Sequence, residues 1–295
     1  MNRRKFLGMS VGMVCGLTAG KSFAMQTKPK MPFRLSLAQW SFNKAIFGQK
    51  MDNLDFAKAA GDMGFEGIEY VNSFFKDKAK DTAYLGQMKK LAKDNNVKSL
   101  LIMCDNEGFL GDPDNGKRTI AVENHYRWLE AAKFLGCHSI RVNAHSEGTY
   151  KEQQKFAANG LRRLSEEAKK YKLNVIVENH GGLSSNGKWM SEVMKMVNMP
   201  NCGMLPDFGN FDKDTDRYEA VKMLMPYAKA VSAKSMEFDA NGDEINTDYY
   251  KMMKIVLDAG YDGFVGVEYE GEKLSEKEGI IATRDLLIKI RNQYI

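Results

Sequence analysis

The stretch VIVENHGG, residues 175–182, changes character halfway along its length. Val175, Ile176 and Val177 are β-branched and apolar, which is typical of a buried strand. The chain then passes directly to Glu178 and His180, side chains that can hold a proton or a metal ion. This order indicates the carboxyl end of a buried strand, where the last side chains enter a cavity.

Seven other short apolar runs share this character, and longer segments with helical periodicity separate them. The eight runs are 33–40, 65–71, 97–104, 138–144, 173–180, 202–208, 230–236 and 263–269. The clearest helical segments are 54–64, 124–136, 156–171 and 278–294. Apolar strands that alternate with helices are typical of parallel strands covered on their outer face. Eight such units within residues 33–295 predict an α/β fold, a single-domain (β/α)8 TIM barrel.

A doubly wound open sheet is the alternative fold. It predicts a glycine-rich phosphate loop after the first strand. Residues 41–48 read SFNKAIFG instead, so the sequence favours the closed barrel.

The first 24 residues have the pattern of an export signal. A basic start that includes Arg3 and Arg4 precedes an uncharged run, and Ser22-Phe23-Ala24 resembles a cleavage site. The paired arginines indicate a twin-arginine signal, so we expect a periplasmic protein with a linker at residues 25–32. An uncleaved amphipathic start is the alternative.

Removal of the signal changes the charge of the chain. The formal net charge of +5 includes four basic residues within 1–24, so the remaining chain carries about +1. This balance gives no support for nucleic acid or an anionic membrane as a partner. The remaining cysteines, Cys104, Cys137 and Cys202, are widely spaced in apolar surroundings, which predicts buried thiols.

Polar side chains occur at or just after the ends of most predicted strands. In a barrel of this type the carboxyl ends of the strands carry the catalytic groups. Glu178, Asp207, Lys234 and Glu268 are separated by 29, 27 and 34 positions, each about one strand–helix unit. We therefore expect these four side chains to meet in one mouth.

Three carboxylates in one mouth require a cation if all are to stay ionised. Glu178, Asp207 and Glu268 are therefore predicted metal ligands, and oxygen donors suit Mg²⁺ or Mn²⁺, with Zn²⁺ as an option if a nitrogen ligand joins. The ammonium of Lys234 offers a metal-free way to neutralise the same acids.

The strand ends also supply the predicted catalytic and substrate-binding groups. We assign proton transfer and charge stabilisation to Glu178, Glu268, Lys234 and His180. Trp40 and Phe208 are candidates for stacking on a sugar ring, with core packing as the alternative. His138 is expected to be structural, and His125 is expected to lie in a helix, either facing solvent or packed. The predicted substrate-binding residues are Trp40, Glu69, Asn143, His145 and Asn210.

The segments VIVENHGG, GMLPDFGNF, VSAKSMEFD and GYDGFVGVEYEG resemble the xylose-isomerase-like TIM-barrel superfamily, the sugar phosphate isomerase/epimerase group. The resemblance spans about residues 33–294. It implies a divalent metal held by Glu178, Asp207 and Glu268. Two positions depart from the family pattern, because Lys234 replaces a ligand histidine and Asn210 replaces a second histidine.

The resemblance implies a metal-dependent sugar isomerase or epimerase that acts through an enediolate, often as a homodimer. A lyase or hydratase of 3-keto-glycosides on the same scaffold is an alternative, and a non-catalytic periplasmic carbohydrate-binding protein is a second. An apurinic-site endonuclease is disfavoured, because the chain has four histidines and almost no net charge without its signal.

Overall fold

The computed structural model describes residues 31–295. The predicted signal at 1–24 and most of the linker lie outside these residues. None of the helices within 31–295 is both long and apolar enough to cross a bilayer.

Eight parallel strands form one sheet, and bridges between its two end strands close it on itself. The strands are β1 Arg34–Ala38, β2 Gly67–Val71, β3 Lys98–Met103, β4 Ser139–Val142, β5 Asn174–Glu178, β6 Cys202–Leu205, β7 Val231–Ser235 and β8 Phe264–Tyr269. β1 pairs with both β2 and β8. β6 and β7 are joined by bridges between Met204 and Ala228 and between Asp207 and Ser232. The (β/α)8 barrel is therefore confirmed, and the open-sheet alternative is wrong.

Ten helices accompany the strands within the described residues. They are α1 Asn43–Phe47, α2 Phe56–Asp62, α3 Thr82–Asp94, α4 Asn115–Asn124, α5 Tyr126–Leu135, α6 Tyr150–Lys169, α7 Gly187–Val197, α8 Arg217–Leu224, α9 Tyr249–Asp258 and α10 Glu276–Arg291. The four helices predicted from periodicity correspond to α2, α5, α6 and α10. Gly136 caps the carboxyl end of α5, and its φ of 85° is a left-handed conformation that glycine adopts without strain.

Alternation along each strand divides the side chains between two cores. The larger core lies between the strands and the helices, and the three cysteines are buried free thiols, as predicted. A smaller apolar cluster that includes Leu101, Ile176 and Leu205 fills the inside of the barrel. Because side chains two positions apart point the same way, Glu178 follows Ile176 and Asp207 follows Leu205 toward the carboxyl end of the barrel.

Gly160 holds the loop after β3 close to α6, and we expect Gly160→Ala to destabilise the protein. A Cβ at this position would lie 1.9 Å from the carbonyl oxygen of Leu110, so the backbone must shift. Overpacking of this kind costs about 1–3 kcal/mol, which thermal unfolding will report as a lower Tm. Gly86→Ala is the matched control. A Cβ there meets nothing within 4 Å inside α3, so the alanine should be neutral or stabilising. An unchanged Tm for Gly160→Ala would contradict this account.

Candidate active site

The carboxyl ends of β5 to β8 bring four predicted residues into one buried cluster. Glu178 ends β5, Asp207 follows β6, and Lys234 and Glu268 lie in β7 and β8. One oxygen from each of the three acids lies within 4.8 Å of the others. All four side chains are buried. The prediction that they meet in one place is confirmed.

Asp207 is held rigidly by its own loop and by the neighbouring strand. Its Oδ1 accepts hydrogen bonds from the backbone N–H groups of Gly209 and Asn210, both at 2.8 Å. Its Oδ2 accepts the hydroxyl of Ser232 at 2.6 Å. The backbone N–H of Asp207 donates to Asn179 Oδ1 at 2.8 Å. This carboxylate is therefore preorganised before anything binds to it.

Lys234 places an ammonium between Glu268 of β8 and Glu270, which directly follows that strand. Its Nζ lies 2.8 Å from Glu268 Oε1 and 3.0 Å from Glu270 Oε1. It also donates to Asn210 Oδ1 at 3.1 Å, and Asn210 Nδ2 donates to Glu178 Oε1 at 3.1 Å. Burial opposes the charge, but Glu268 and the nearby acids raise the pKa of Lys234 well above its ordinary value. The side chain is a fixed cation.

Arg141 is a second buried cation, which the sequence analysis did not select. Its Nε lies 2.9 Å from Glu178 Oε2, and its Nη1 lies 2.7 Å from Asp105 Oδ1. The signal was present in the sequence, because an arginine interrupts the apolar run 138–144. Glu270 was also missed, although it lies two positions after Glu268 and therefore on the same side of the chain.

The buried acids outnumber these two cations, and the pKa values of two of the acids are raised. Burial raises the pKa of Glu178 to about 8 in spite of Arg141 and Lys234. Burial raises the pKa of Asp207 as well, and Glu268 adds to the effect. Negative charge in the cluster is thus incompletely compensated by the protein.

Glu268 differs from its neighbour Glu270. Burial opposes its charge, but the Lys234 ammonium holds the pKa of Glu268 below its ordinary value. Burial raises the pKa of Glu270, which Lys234 only partly offsets. One lysine therefore serves two carboxyl groups with different proton affinities.

The donor set fits a divalent cation. Glu268 Oε2 is buried and has no hydrogen-bond partner, whereas Glu178 Oε2 is paired with Arg141 Nε at 2.9 Å. Both residues belong to the carboxylate cluster. A cation placed in this cluster would satisfy the unpartnered oxygen of Glu268 and supply the missing positive charge. Lys234 contributes no ligand, because a protonated amine has no lone pair. The described residues thus offer three carboxylate ligands.

A cavity of about 730 Å³ opens above the cluster. Lys234, Glu268 and Glu270 line it, whereas Glu178 and Asp207, which were also expected in the mouth, are buried and do not line it. The predicted residues Trp40, Asn143, His145, His180 and Asn210 also line this cavity. Burial and the nearby Arg141 lower the pKa of His180.

Of three further side chains, only Glu69 differs from the sequence expectation. Glu69 does not reach the mouth. It lines a separate cavity toward the amino-terminal ends of the strands, because it lies two positions before Val71 inside the barrel. Phe208 is fully buried and packs edge-on against Tyr249 at 5.7 Å, so it belongs to the core. His125 is buried as a structural residue but also lines the mouth cavity.

Glu69 provides a test of the barrel interior, and we expect Glu69→Gln to stabilise the protein at high pH. Burial raises the pKa of Glu69 from 4.5 to about 7, and one of its oxygens has no hydrogen-bond partner. The folded state therefore holds a proton that the unfolded state releases between pH 4.5 and 7. Stability is lost as pH rises through this window, by about 3 kcal/mol. Glutamine carries no charge and keeps an acceptor for the Ser36 hydroxyl, which bonds Glu69 at 2.6 Å.

Urea unfolding at pH 5 and pH 8.5 measures this effect. The variant should gain stability relative to the wild type at pH 8.5 and little at pH 5. The exposed Glu272→Gln serves as the control. An equal difference between variant and wild type at both pH values would contradict the assignment.

Fold and site together define a (β/α)8 barrel protein with a buried carboxylate and ammonium centre at the carboxyl ends of its strands. The family model described as xylose isomerase-like TIM barrel matches residues 56–290. The chain belongs to this family. No curated protein matches the chain in sequence.

Solved structures share the fold at low identity. The zinc-bound IOLI protein is 17% identical with a TM-score of 0.72, covering 89% of this chain and 99% of its own. The 3-keto-D-glucoside 4-epimerase of E. coli is 17% identical with a TM-score of 0.66, covering 88% and 99%. The probable 3-DHS dehydratase of Bacillus anthracis is 19% identical with a TM-score of 0.66, covering 87% and 99%.

Proposed function

We propose that the protein is an isomerase or epimerase that moves a proton on a carbon next to the carbonyl group of a sugar. The observation that carries this proposal is the Lys234 ammonium shared by Glu268 and Glu270 in the wall of the cavity. Such a site holds a base, an acid and a positive charge within reach of one bound molecule. The named sugar epimerase with the same fold supports the proposal.

Glu268 is the proposed base. Its contact with Lys234 keeps it ionised, and it borders the cavity although its side chain is buried. The carboxylate takes the proton from carbon, and the electrons of the broken C–H bond move toward the carbonyl oxygen. Lys234 donates a hydrogen bond to that oxygen as it becomes negative, which stabilises the enediolate.

Glu270 is the proposed proton exchanger. Its side chain is 27% exposed, so it can exchange protons with solvent while it contacts Lys234. Return of the proton to the neighbouring carbon gives isomerisation, and return to the opposite face of the same carbon gives epimerisation. His180, also in the wall, is a second group that can carry this proton.

Glu178, Asp207 and Glu268 are the proposed ligands of a divalent metal, Mn²⁺, Mg²⁺ or Zn²⁺. When bound, such an ion polarises the carbonyl and hydroxyl oxygens of the sugar. Asp207 is oriented for ligation by its three hydrogen bonds, and Arg141 orients Glu178. The zinc in a related fold supports the assignment.

Elimination is the second candidate reaction. After the same first step, expulsion of an oxygen substituent on the next carbon would make the protein a lyase or hydratase of 3-keto-glycosides. Lys234 and Glu270 lie together where a proton could be given to the leaving oxygen. The probable dehydratase that has the same fold supports elimination as the second candidate reaction.

The residues before the barrel support a proposal about the cellular compartment of the protein. We propose that the segment 1–24 exports the protein to the periplasm, where free sugars and glycosides are the available substrates. Assembly as a homodimer stays a prediction.

Incubation of metal-loaded protein with keto-sugars and 3-keto-glycosides in D₂O tests the function. We expect deuterium to replace the hydrogen on the carbon next to the carbonyl group. NMR spectroscopy measures this exchange. New unsaturated product would indicate elimination instead. Binding of a sugar without any exchange or product would overturn both reactions and leave a carbohydrate-binding protein.

A further inference from the structure

An aromatic platform stands on one side of the mouth cavity. Trp40 and Phe74 are stacked with ring centroids 6.0 Å apart, and Phe47 contacts both rings at 6.1 and 5.0 Å. Trp40 and Phe47 line the cavity, and Phe47 is 59% exposed. A large apolar ring left open to solvent in this place offers a flat surface to a ligand.

The platform is held from outside the mouth. Phe47 is the last residue of the short helix α1, and the first turn of that helix is anchored by Glu276 of α10. The Glu276 carboxylate accepts the backbone N–H groups of Lys44 at 2.8 Å and Ala45 at 3.2 Å. The ring of Phe47 is therefore carried by a fixed element.

A second aromatic pair lies in the wall formed by the loops after β3 and β4. Phe109 is 47% exposed and packs on the ring of His145 with centroids 4.1 Å apart. The two loops are tied together, because the Gly111 N–H donates to the His145 carbonyl at 3.0 Å and the Ser146 hydroxyl donates to the Gly111 carbonyl at 2.5 Å. Both rings line the same cavity as the platform.

The cavity is larger than one sugar requires. Pockets that hold a drug-sized molecule measure about 300–1,000 Å³, and a single hexose is smaller than such a molecule. The cavity measures about 730 Å³. A single ring seated on the Lys234 cluster would leave the aromatic part of the cavity unfilled.

The charge of the wall disfavours an anionic substrate. Its strong cations among the described residues are Arg141 and Lys234, and each is already paired with two carboxylates. The acids in the same wall are Asp105, Glu107, Glu268 and Glu270. Glu107 is already paired with Arg127 at 2.7 Å, so three acids face two cations and leave an excess of one negative charge. A phosphate group would therefore find no unpaired cationic side chain among the described residues of this wall.

We infer that the outer, aromatic part of the cavity is a subsite for a second pyranose ring, and that the substrate is a neutral disaccharide unit. The inference rests on the proposed function for the inner ring, where the proton is moved. The aromatic faces of Trp40, Phe47 and Phe109 match the C–H faces of a pyranose. Asn106, Ser146 and Gln153 in the same wall provide polar groups for its hydroxyls.

Calorimetric binding to the full metal-loaded protein tests the inference. The probes are glucose, glucose 6-phosphate, phenyl β-D-glucoside and a panel of glucose disaccharides that covers the common linkages. We expect at least one disaccharide to bind about tenfold or more tightly than glucose, since each aromatic ring that stacks on the sugar contributes about 1 kcal/mol, which is about fivefold in affinity. Phe47→Ala and Phe109→Ala should each lower the ratio of disaccharide to glucose affinity by about fivefold or more.

Phe134→Ala is the matched control, because Phe134 is an exposed phenylalanine on the outer helix α5 and is absent from the cavity wall. The inference is overturned if no disaccharide binds better than glucose, if glucose 6-phosphate binds best, or if phenyl β-D-glucoside alone gains from the two rings. Proton exchange in D₂O is read separately. Disaccharide binding without proton exchange would contradict the proposed function and support the subsite. Proton exchange with single sugars and no preference for disaccharides would support the proposed function and contradict the subsite.

Discussion

Glu268→Gln should lower kcat by about 10²- to 10⁴-fold, the usual contribution of a positioned base. The amide has nearly the shape of the carboxylate but cannot accept a proton from carbon. It also removes one of the three proposed metal ligands and the 2.8 Å ion pair with Lys234. The measurement is the rate of deuterium incorporation into a substrate identified in the D₂O screen, at saturating substrate and metal.

Circular dichroism and thermal unfolding separate this loss from misfolding. Glu272→Gln is the control, since Glu272 lies in the loop after β8, is exposed, and should leave kcat unchanged. A folded, metal-loaded Glu268→Gln protein with more than a tenth of wild-type kcat would remove Glu268 as the base.

Lys234→His should raise the affinity for Zn²⁺ or Mn²⁺ by about tenfold or more and lower turnover. A neutral imidazole would add a nitrogen ligand to Glu178, Asp207 and Glu268, which restores the ligand pattern implied by the family resemblance. The same change removes the ammonium that contacts Glu270 at 3.0 Å, so the developing oxyanion loses its hydrogen-bond donor. Metal affinity is measured by competition with a chromophoric chelator, and turnover by deuterium incorporation.

Lys234→Met separates the two effects of this substitution. Methionine removes the positive charge without adding a nitrogen ligand, so it should lose turnover as Lys234→His does and gain less metal affinity. Loss of the buried cation also leaves Glu268 and Glu270 unpaired, so both variants are assayed after a fold check. Lys254→His on the exposed face of α9 is the surface control. Equal metal affinity in the histidine and methionine variants would show that position 234 cannot supply a ligand, and full turnover in either would remove Lys234 from the mechanism.

The closed barrel and its metal-type cluster could be predicted from sequence because both depend on regular spacing. Each buried run is followed by a helix, and in parallel strands the carboxyl ends meet at one edge. Glu178, Asp207, Lys234 and Glu268 therefore had to face one mouth once the ring of eight units was assumed. The closeness of these four side chains follows from that architecture.

The rest of the site depends on the orientation of each side chain and on its position along the barrel axis. The position of a residue near a predicted strand end does not determine either of these. Glu69 was placed in the mouth from its position near a strand end, but it lies inside the barrel. Gly266 leaves the space for it, since a Cβ there would lie 2.6 Å from its carboxylate. Arg141 was overlooked because it lies within an apolar run. Phe47 reaches the cavity from the short helix α1, and Phe109 reaches it from the loop after β3. The periodicity of the sequence does not predict the path of a loop or the position of so short a helix.

The anchoring of α1 by Glu276 makes the last helix a part of the ligand-facing side of the molecule. Arg284 of the same helix donates to the Met63 carbonyl at 2.6 Å, and β8 pairs with β1, so the final unit of the chain fastens the first. Shortening the protein from its carboxyl terminus would consequently loosen a recognition surface encoded more than 200 residues earlier.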